Sequence, residues 1–386
     1  MALAIVACSG GSDETTVGDT TDTSPPVETE APPTDPPSTD PPATEAPTTE
    51  ATPTTEPPAD EFAGTIDLTA VEDADRCEVV GETCLLPFPS DALTVADDAT
   101  ATGRRVNLAP ASMPANADGV PVGVERQNRN DGFSPGSAAL VLVPGVDPEG
   151  SLLPPITDIE RSLDADSGSV IIDATAGETW PHWAELDANA TDDLRRGLFL
   201  RPAINYPEGH RIVIGLRNLV DASGTPIEPT DAFRAFRDRL ESDNEAVEAR
   251  RPAMEQVFSD LEAAGVQRDE LVMAWDFTVT STDSLTGPLI HMRDDAFGRL
   301  GDAAPAFTIT STEEEQTDES SRLVIEGTYE VPLYLTGDGS PGQGLNLSGD
   351  SDLPEVNGTW TAPFRCQITA ASTSGDPGAG LLYGHG

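Results

Sequence analysis

Beyond Phe62 the chain alternates short apolar runs with Gly, Pro, Asn and Asp, a pattern typical of strands joined by turns. The runs that predict strands are Ala139 to Val143, Val170 to Asp173, Leu198 to Arg201, Arg211 to Leu219, Leu271 to Thr280, Leu323 to Leu335, Trp360 to Thr369 and Gly380 to Tyr383. Helical spacing appears in one block, between residues 230 and 300. We therefore predict an α+β fold in which a strand-rich domain contains a helical segment.

Three helices are predicted within that block. Thr230 or Asp231 is expected to cap the first, and the second extends from Glu245 to Gly265, with a kink or restart at Pro252. Helix by helix, the apolar residues are Phe233, Phe236 and Leu240; Val247, Met254, Phe258 and Leu261; and Leu285, Leu289, Met292, Ala296 and Leu300. We expect the last stripe to belong to the core rather than to a lid.

The N-terminal sixty residues follow neither pattern. An apolar stretch from Leu3 leads to Cys8 and then to small polar residues, which resembles a bacterial lipobox with Cys8 as the lipidated residue. The alternative is a chance Cys near the start of the sequence. Residues 9–60 repeat Pro, Thr and acidic residues with almost no bulky apolar side chain, so they predict an extended, disordered linker.

These shifts predict four parts of the chain. Residues 1–8 are part of a lipoprotein signal peptide, residues 9–60 are the linker, residues 61–375 form the strand-rich domain with its helical segment at 230–300, and residues 376–386 begin a further domain. We expect the protein to be exported and held at the outer face of the cell envelope through its lipid.

Charge excludes one class of partner. The chain has 68 Asp and Glu against 21 basic residues, all of them Arg, and a net charge of -47. Such a surface repels nucleic acid, so no nucleic-acid partner is expected. GC-rich codon usage and adaptation to salt explain the missing Lys equally well.

Cysteine spacing predicts a small disulfide loop. Cys77 and Cys84 lie seven residues apart, and an exported protein allows them to oxidise. Cys366 is then left over, and a bridge between Cys84 and Cys366 is the alternative.

The sequence contains one literal nucleophile motif and no convincing metal set. Gly132 to Gly136 reads G-x-S-x-G, but a polar stretch precedes Ser134 and a strand follows it, whereas a nucleophile elbow needs a strand before and a helix after. The four His are too dispersed for metal binding, and Asp-rich turns such as Asp164 to Gly168 fall short of a calcium loop. We predict no metal and no cofactor.

His182 lies in an aromatic patch, Trp180 to Glu185. Core or interface packing is the expected role of this patch, and a carbohydrate or lipid site is the alternative.

Three stretches together resemble the N-terminal region of secreted and surface-anchored bacterial lipases of the α/β-hydrolase superfamily. They are Cys84 to Asp91 (CLLPFPSD), Asn130 to Ser137 (NDGFSPGS) and Ala274 to Ser281 (AWDFTVTS). The resemblance spans roughly residues 77–386 and implies a strand-rich accessory domain followed by a Ser-His-Asp hydrolase acting on lipid or other ester bonds.

The resemblance assigns chemistry only to the last residues of the chain. Leu381 to Gly386 reads as a strand followed by a His-Gly turn, where such hydrolases place the N–H groups of the oxyanion hole. Gly384, His385 and Gly386 are the candidate residues. The family's nucleophile and triad have no counterpart in this sequence, so the expected function is the accessory part of an exported, membrane-anchored serine ester hydrolase. The alternative is a cell-surface β-sandwich lipoprotein that binds a partner without catalysis.

Overall fold

The structure, a computed structural model, describes residues 62–68, 85–316, 321–348, 353–369, 372 and 378–381. These residues form an α+β fold with three α-helices and antiparallel strands in several small sheets. They do not show an α/β-hydrolase fold. The helices are α1 (Asp231–Arg237), α2 (Glu245–Ala263) and α3 (Thr282–Leu300).

The strands are, in chain order, β1 (Gly64–Ile66), β2 (Thr94–Ala96), β3 (Arg104–Val106), β4 (Ala139–Leu142), β5 (Ser169–Asp173), β6 (Glu178–Thr179), β7 (His182–Leu186), β8 (Gly197–Pro202), β9 (Arg211–Arg217), β10 (Leu240–Ser242), β11 (Leu271–Thr278), β12 (Phe307–Gln316), β13 (Ser321–Pro332) and β14 (Thr359–Thr369). They separate into two compact units. The larger unit takes in Glu61–Pro305 and Tyr329–Ala362, and the smaller includes Ala306–Thr328 and the chain from Pro363.

The centre of the larger unit is a four-stranded antiparallel sheet in the order β11-β9-β5-β6. Three of its strands, β11, β9 and β5, are largely apolar and buried, since both of their faces are covered. On β9, Ile212, Ile214 and Leu216 enter one hydrophobic cluster, while Val213 between them enters the other. The two-residue period of a strand therefore divides a continuous apolar run between two cores.

A three-stranded antiparallel sheet, β4-β8-β7, covers the first face. Its inward residues Ala139, Val141, Leu198 and Leu200 are at most 1% exposed and join the same cluster as the central sheet. The two sheets thus form a sandwich with a shared apolar core.

Helices α1 and α2 cover the second face. Phe233, Phe236, Phe258 and Leu261 are buried against the sheet. A Cβ at Gly215 of β9 would lie 3.0 Å from the Leu261 side chain, so glycine permits this close approach of helix and strand.

The predicted helix boundaries hold with two changes. Thr230 caps α1 by accepting a hydrogen bond from the Phe233 N–H, as predicted. Leu240, predicted on the same helix, instead lies in β10 and pairs in parallel with Gly64 of β1. Helix α2 continues through Pro252 without a break in its assignment.

The remaining large sheet contains β12, β13 and β14, in that order. The sequence predicts β13 and β14, but β12 was not predicted, because its second half is polar and acidic. The expected strand at Gly380 to Tyr383 is not seen in its described part, since Gly380 and Leu381 have irregular backbone.

Candidate functional site

The three stretches that resemble the lipase region meet at the free edge of β11. Phe88 of the first stretch bridges Leu140 of the facing sheet, and the Pro89 carbonyl accepts a 3.0 Å hydrogen bond from the Trp275 indole. Phe133 of the second stretch bridges Val279 just beyond β11. Edge strands expose unpaired backbone groups, and Phe133 pairs with two of them: its N–H donates to the Thr278 carbonyl and its carbonyl accepts from the Thr280 N–H.

The side chain of Asp91 accepts hydrogen bonds from groups at the free edge of β11. One carboxylate oxygen accepts a 2.8 Å bond from the Thr278 N–H, and the other accepts a 2.7 Å bond from the Thr278 hydroxyl. Arg104 lies 3.0 Å from the same carboxylate. Burial and the nearby charge of Asp276 nevertheless raise the pKa of Asp91 above its ordinary value.

Asp131 joins β11 to the start of α3. Its carboxylate accepts hydrogen bonds from the Thr280 hydroxyl (2.7 Å), the Ser281 N–H (2.9 Å) and the Ser281 hydroxyl (2.6 Å). Burial raises the pKa of Asp131, but the donors at Ser281 and Thr280 together outweigh burial and hold this pKa below its usual value. Ser281 in turn caps α3 by accepting from the Ser284 N–H.

Neither anchoring role was predicted from the sequence. Both carboxylates lie within the stretches that resemble the lipase region, and that position was the signal that could have found them.

Ser134 is not placed as a nucleophile. The backbone of Phe133 pairs with the chain beyond β11, and Ser134 follows in an exposed turn that leads into β4 rather than into a helix. The strand-turn-helix geometry that activates an elbow serine is therefore missing here, as the sequence analysis predicted.

His182 forms a buried pair with Ser169. Its Nδ1 lies 3.0 Å from the Trp180 carbonyl, which only accepts, so Nδ1 carries the proton and Nε2 accepts from the Ser169 hydroxyl at 2.8 Å. Burial lowers the pKa of His182 to about 4. Both side chains are fully buried, so this Ser-His pair has no access to a substrate and belongs to the core.

His210 forms a second pair, with Asp173. Its Nδ1 lies 2.7 Å from one carboxylate oxygen of Asp173, whose other oxygen accepts from the N–H groups of Thr175 and Ala176. The His210 side chain is 31% exposed. A base-orienting geometry is thus present, but no hydroxyl or thiol is hydrogen-bonded to this imidazole among the described residues.

His291 lines a shallow pocket at the C-terminal part of α3. Asp295, Arg299 and Glu355 also line it. Asp295 accepts a 2.7 Å bond from the Tyr334 hydroxyl and a 2.9 Å bond from Arg299. Burial and then the hydrogen bond to Asp295 raise the pKa of Tyr334 to about 12. Asp295 thus joins α3 to the loop that contains Tyr334.

The prediction that the apolar stripe of α3 belongs to the core is wrong. No residue of α3 is buried by the part of the chain that the structure describes. Leu285 is 45% exposed and Leu289 55% exposed, and two further apolar residues, Ile290 and Phe297, are 38% and 45% exposed. Helical spacing correctly predicted the helix but not the element that would cover it.

Several predicted site residues lie outside the described residues. These are the lipidation site Cys8, the cysteines Cys77 and Cys84, and the oxyanion-hole candidates Gly384, His385 and Gly386. Cys366 lies in β14 as a free cysteine, and Cys84, its alternative partner, lies outside the described residues.

The residues that the structure describes were considered for a metal site and for a membrane-spanning helix, and they contain neither. Within them, His, Cys, Asp and Glu form no group able to hold a metal ion. No described helix is long and apolar enough to cross a membrane.

Comparisons of the chain with known protein families, with curated proteins and with solved structures find no match.

Proposed function

We propose that this chain is the accessory scaffold of an exported, membrane-anchored serine ester hydrolase whose substrate is a lipid or another ester. The observation that carries the proposal is the convergence of the three lipase-like stretches on the edge of β11. Among the described residues, Asp91 and Asp131 use their carboxylates to hold backbone groups at the end of β11 and the start of α3. The part of the resemblance that implies chemistry is therefore the turn at Gly384 to Gly386.

Two imidazole pairs support a scaffold rather than a self-sufficient enzyme. The Ser169–His182 pair is sealed inside the core, and the His210–Asp173 pair has no nucleophile bonded to it among the described residues. In the proposal, a Ser beyond Gly386 attacks the ester carbonyl, a His transfers the proton, and N–H groups near His385 stabilise the oxyanion.

Labelling with a fluorophosphonate tests the enzyme part of the proposal. We expect the gene product that continues past Gly386 to be labelled at a serine beyond that residue and to hydrolyse p-nitrophenyl butyrate. We expect neither from the 386-residue chain. Ser134→Ala is the matched control and should change nothing in the longer protein. Labelling of Ser134, or turnover by the 386-residue chain, contradicts the proposal.

The anchoring part has its own test. A lipid on Cys8 should direct the full chain into the detergent phase on Triton X-114 partition, and Cys8→Ser should move it to the aqueous phase. Cys366→Ser controls for loss of a thiol and should leave partition unchanged. Equal partition of the wild type and Cys8→Ser rejects the lipid anchor.

The second candidate is a cell-surface β-sandwich lipoprotein that binds a partner without catalysis. The face-to-face packing of β4-β8-β7 on the central sheet favours it, because that architecture is common in binding modules. The same labelling experiment separates the two functions, since a binding module gives no labelled serine in either protein.

A further inference from the structure

Three segments of the chain have the sequence Asn-x-Ser/Thr, the sequon at which exported proteins accept N-linked glycans. They begin at Asn189 (Asn-Ala-Thr), Asn346 (Asn-Leu-Ser) and Asn357 (Asn-Gly-Thr). Transfer of a glycan onto the folded protein needs the side-chain nitrogen of the Asn, which forms the new bond, and access to the hydroxyl two positions later, which completes the sequon. The structure separates the three sequons by whether these groups are free.

The second and third sequons are engaged in the fold. The side-chain N–H of Asn346 donates to the Glu355 carbonyl at 2.9 Å, and the Ser348 hydroxyl donates to the Glu355 carboxylate at 2.7 Å. The side-chain N–H of Asn357 donates to the Leu335 carbonyl at 3.0 Å. Both amide nitrogens therefore hold backbone carbonyls, and a transferase would have to break these hydrogen bonds to reach them.

The first sequon lies in the loop that joins β7 to β8. Asn189 and Thr191 are both exposed. The backbone N–H of Asn189 donates to the Asp187 carboxylate at 2.8 Å, which closes an Asx turn. Among the described residues, neither the Asn189 amide group nor the Thr191 hydroxyl has a hydrogen-bond partner. Both groups of this sequon are therefore open to solvent in a turn of defined shape.

The surroundings of Asn189 suit a large polar group. Strand β7 is at the edge of the sheet β4-β8-β7 and ends at Leu186, just before the turn. Leu194, further along the same loop, is 63% exposed. Bare edge strands and exposed apolar side chains favour association between chains, and a bulky, solubilising glycan at this position opposes it.

We propose that Asn189 is an N-glycosylation site of this chain. The co-substrate is an oligosaccharide linked through phosphate to a lipid carrier, and the catalyst is a membrane-bound oligosaccharyltransferase. The Asn189 Nδ2 forms a bond to the anomeric carbon of the first sugar, the bond from that carbon to the phosphate oxygen breaks, and the amide proton is lost as the lipid phosphate leaves. The inference rests on export, which is part of the proposed function.

Mass spectrometry of the protein purified from the envelope of its own cells tests the site. The chain contains no Lys, so trypsin cuts only after Arg; Asn189 is released in the peptide Ser162–Arg195, and both other sequons are released together in Leu323–Arg365. We expect a glycan on Asn189 in the first peptide and none on the second. Finding the first peptide only at its unmodified mass, or a glycan on the second, overturns the proposal.

Two substitutions of Thr191 form a matched pair. Thr191→Ala removes the hydroxyl of the sequon and should abolish the glycan, whereas Thr191→Ser keeps the hydroxyl and should retain the glycan. Asn189→Gln should also abolish it. Because these side chains are exposed and make no hydrogen bond to a described residue, all three variants should unfold at the temperature of the unglycosylated wild type. A glycan that persists in Thr191→Ala contradicts the proposal.

The glycan and the proposed function fail in different ways. If fluorophosphonate labels a serine beyond Gly386 but the peptide Ser162–Arg195 is unmodified, the hydrolase stands and the glycosylation site is rejected. If Asn189 has a glycan but no serine is labelled, the site stands and the hydrolase is rejected. Protein that is found only in the cytoplasm, without a glycan, contradicts both the site and export.

Discussion

Two consecutive elements of the chain have opposite environments. Every residue of β11 is buried, whereas none in α3 is buried by the described residues. Only Val279, Thr280 and Ser281 separate the two elements. Both contain enough apolar residues for a core, so the difference lies in what the fold brings against them. The comparison teaches that apolar periodicity predicts an element and a face but not whether that face is covered.

The largest expected difference in stability is between alanine substitutions of two phenylalanines, one in β11 and one in α3. Phe277 of β11 is fully buried, with ring contacts at 5.5 Å to Tyr206 and 6.3 Å to Phe133. Phe277→Ala should lower the free energy of unfolding by about 3–5 kcal/mol, since it leaves a cavity. Phe297→Ala on α3 should cost less than about 0.5 kcal/mol in the 386-residue chain. Urea unfolding followed by Trp fluorescence measures both, and equal losses would show that α3 is covered in this chain.

The pH dependence of folding stability gives a second test of the difference between the buried core and α3. Because burial lowers the pKa of His182 from 6.5 to about 4, the unfolded chain takes up a proton in this range before the folded one does. Stability contributed by neutral His182 is therefore present above pH 6.5 and is lost as the pH falls towards 4. The loss should amount to about 3 kcal/mol.

Urea midpoints between pH 4 and 7 measure this loss. His182→Asn should reduce the dependence on pH across that range, at a cost in stability at pH 7. His291→Asn, which removes the half-exposed histidine of α3, is the control and should retain the acid-side loss. A wild-type midpoint that is flat between pH 4 and 7 contradicts the buried, neutral state of His182.

The junction between the two elements gives a smaller effect. Asp131→Asn should cost about 1–3 kcal/mol at pH 7, because the amide cannot accept all three hydrogen bonds. Since the pKa of Asp131 is lowered on folding, its contribution is present above the ordinary Asp pKa and is lost as the pH falls through the folded value. Asp294→Asn, at an exposed carboxylate of α3, is the matched control for urea unfolding at pH 7 and pH 3. If the two variants lose the same stability, Asp131 is not an anchor.

The same measurement on Asp91 gives a further test, because the pKa of Asp91 is shifted in the opposite direction to that of Asp131. Its folded pKa is raised, so its charge costs stability once the pH exceeds the ordinary Asp pKa. The loss of unfolding free energy caused by Asp91→Asn should therefore grow less between pH 3 and pH 7 than the loss caused by Asp131→Asn. The same trend with pH in both variants would contradict the opposite shifts.

The smallest expected effect belongs to the cap of α3. Ser281→Ala removes both the acceptor for the Ser284 N–H and the hydroxyl that donates to Asp131, and should cost about 1–2 kcal/mol. Thermal unfolding followed by circular dichroism measures it, with Ser134→Ala as the control for the same substitution in an exposed turn. A variant as stable as the control would show that neither hydrogen bond of the Ser281 hydroxyl stabilises the start of α3.

Prediction from sequence succeeded where local physics decides the outcome. The strands at β4, β5, β8, β9, β11, β13 and β14 and the three helices were found from apolar runs, spacing and the Thr230 cap. Leu240 was assigned to a helix because its spacing from Phe236 is helical, but pairing with β1 places it in a strand. Long-range partners of this kind leave no local signal.

The candidate site shows the same limit. The three lipase-like stretches were recognised from their residues, and the exclusion of Ser134 followed from its flanking pattern. Their convergence on β11 joins residues more than 140 positions apart, as in the bonds of Asp91 to Thr278 and of Asp131 to Ser281. No spacing rule connects positions that far apart, so only the fold revealed these contacts.

The sequence by itself determined the strand and helix periods, the α+β class, the strong acidity of the chain, and the absence of an elbow at Ser134. These features follow from backbone geometry and charge, which act locally or by simple summation. Tertiary structure alone decided that β11 is buried on both faces, that His182 is neutral inside the core, and that the described residues bury no side chain of α3. Burial depends on which distant segments meet, and an apolar stripe has the same sequence whether it is covered or exposed.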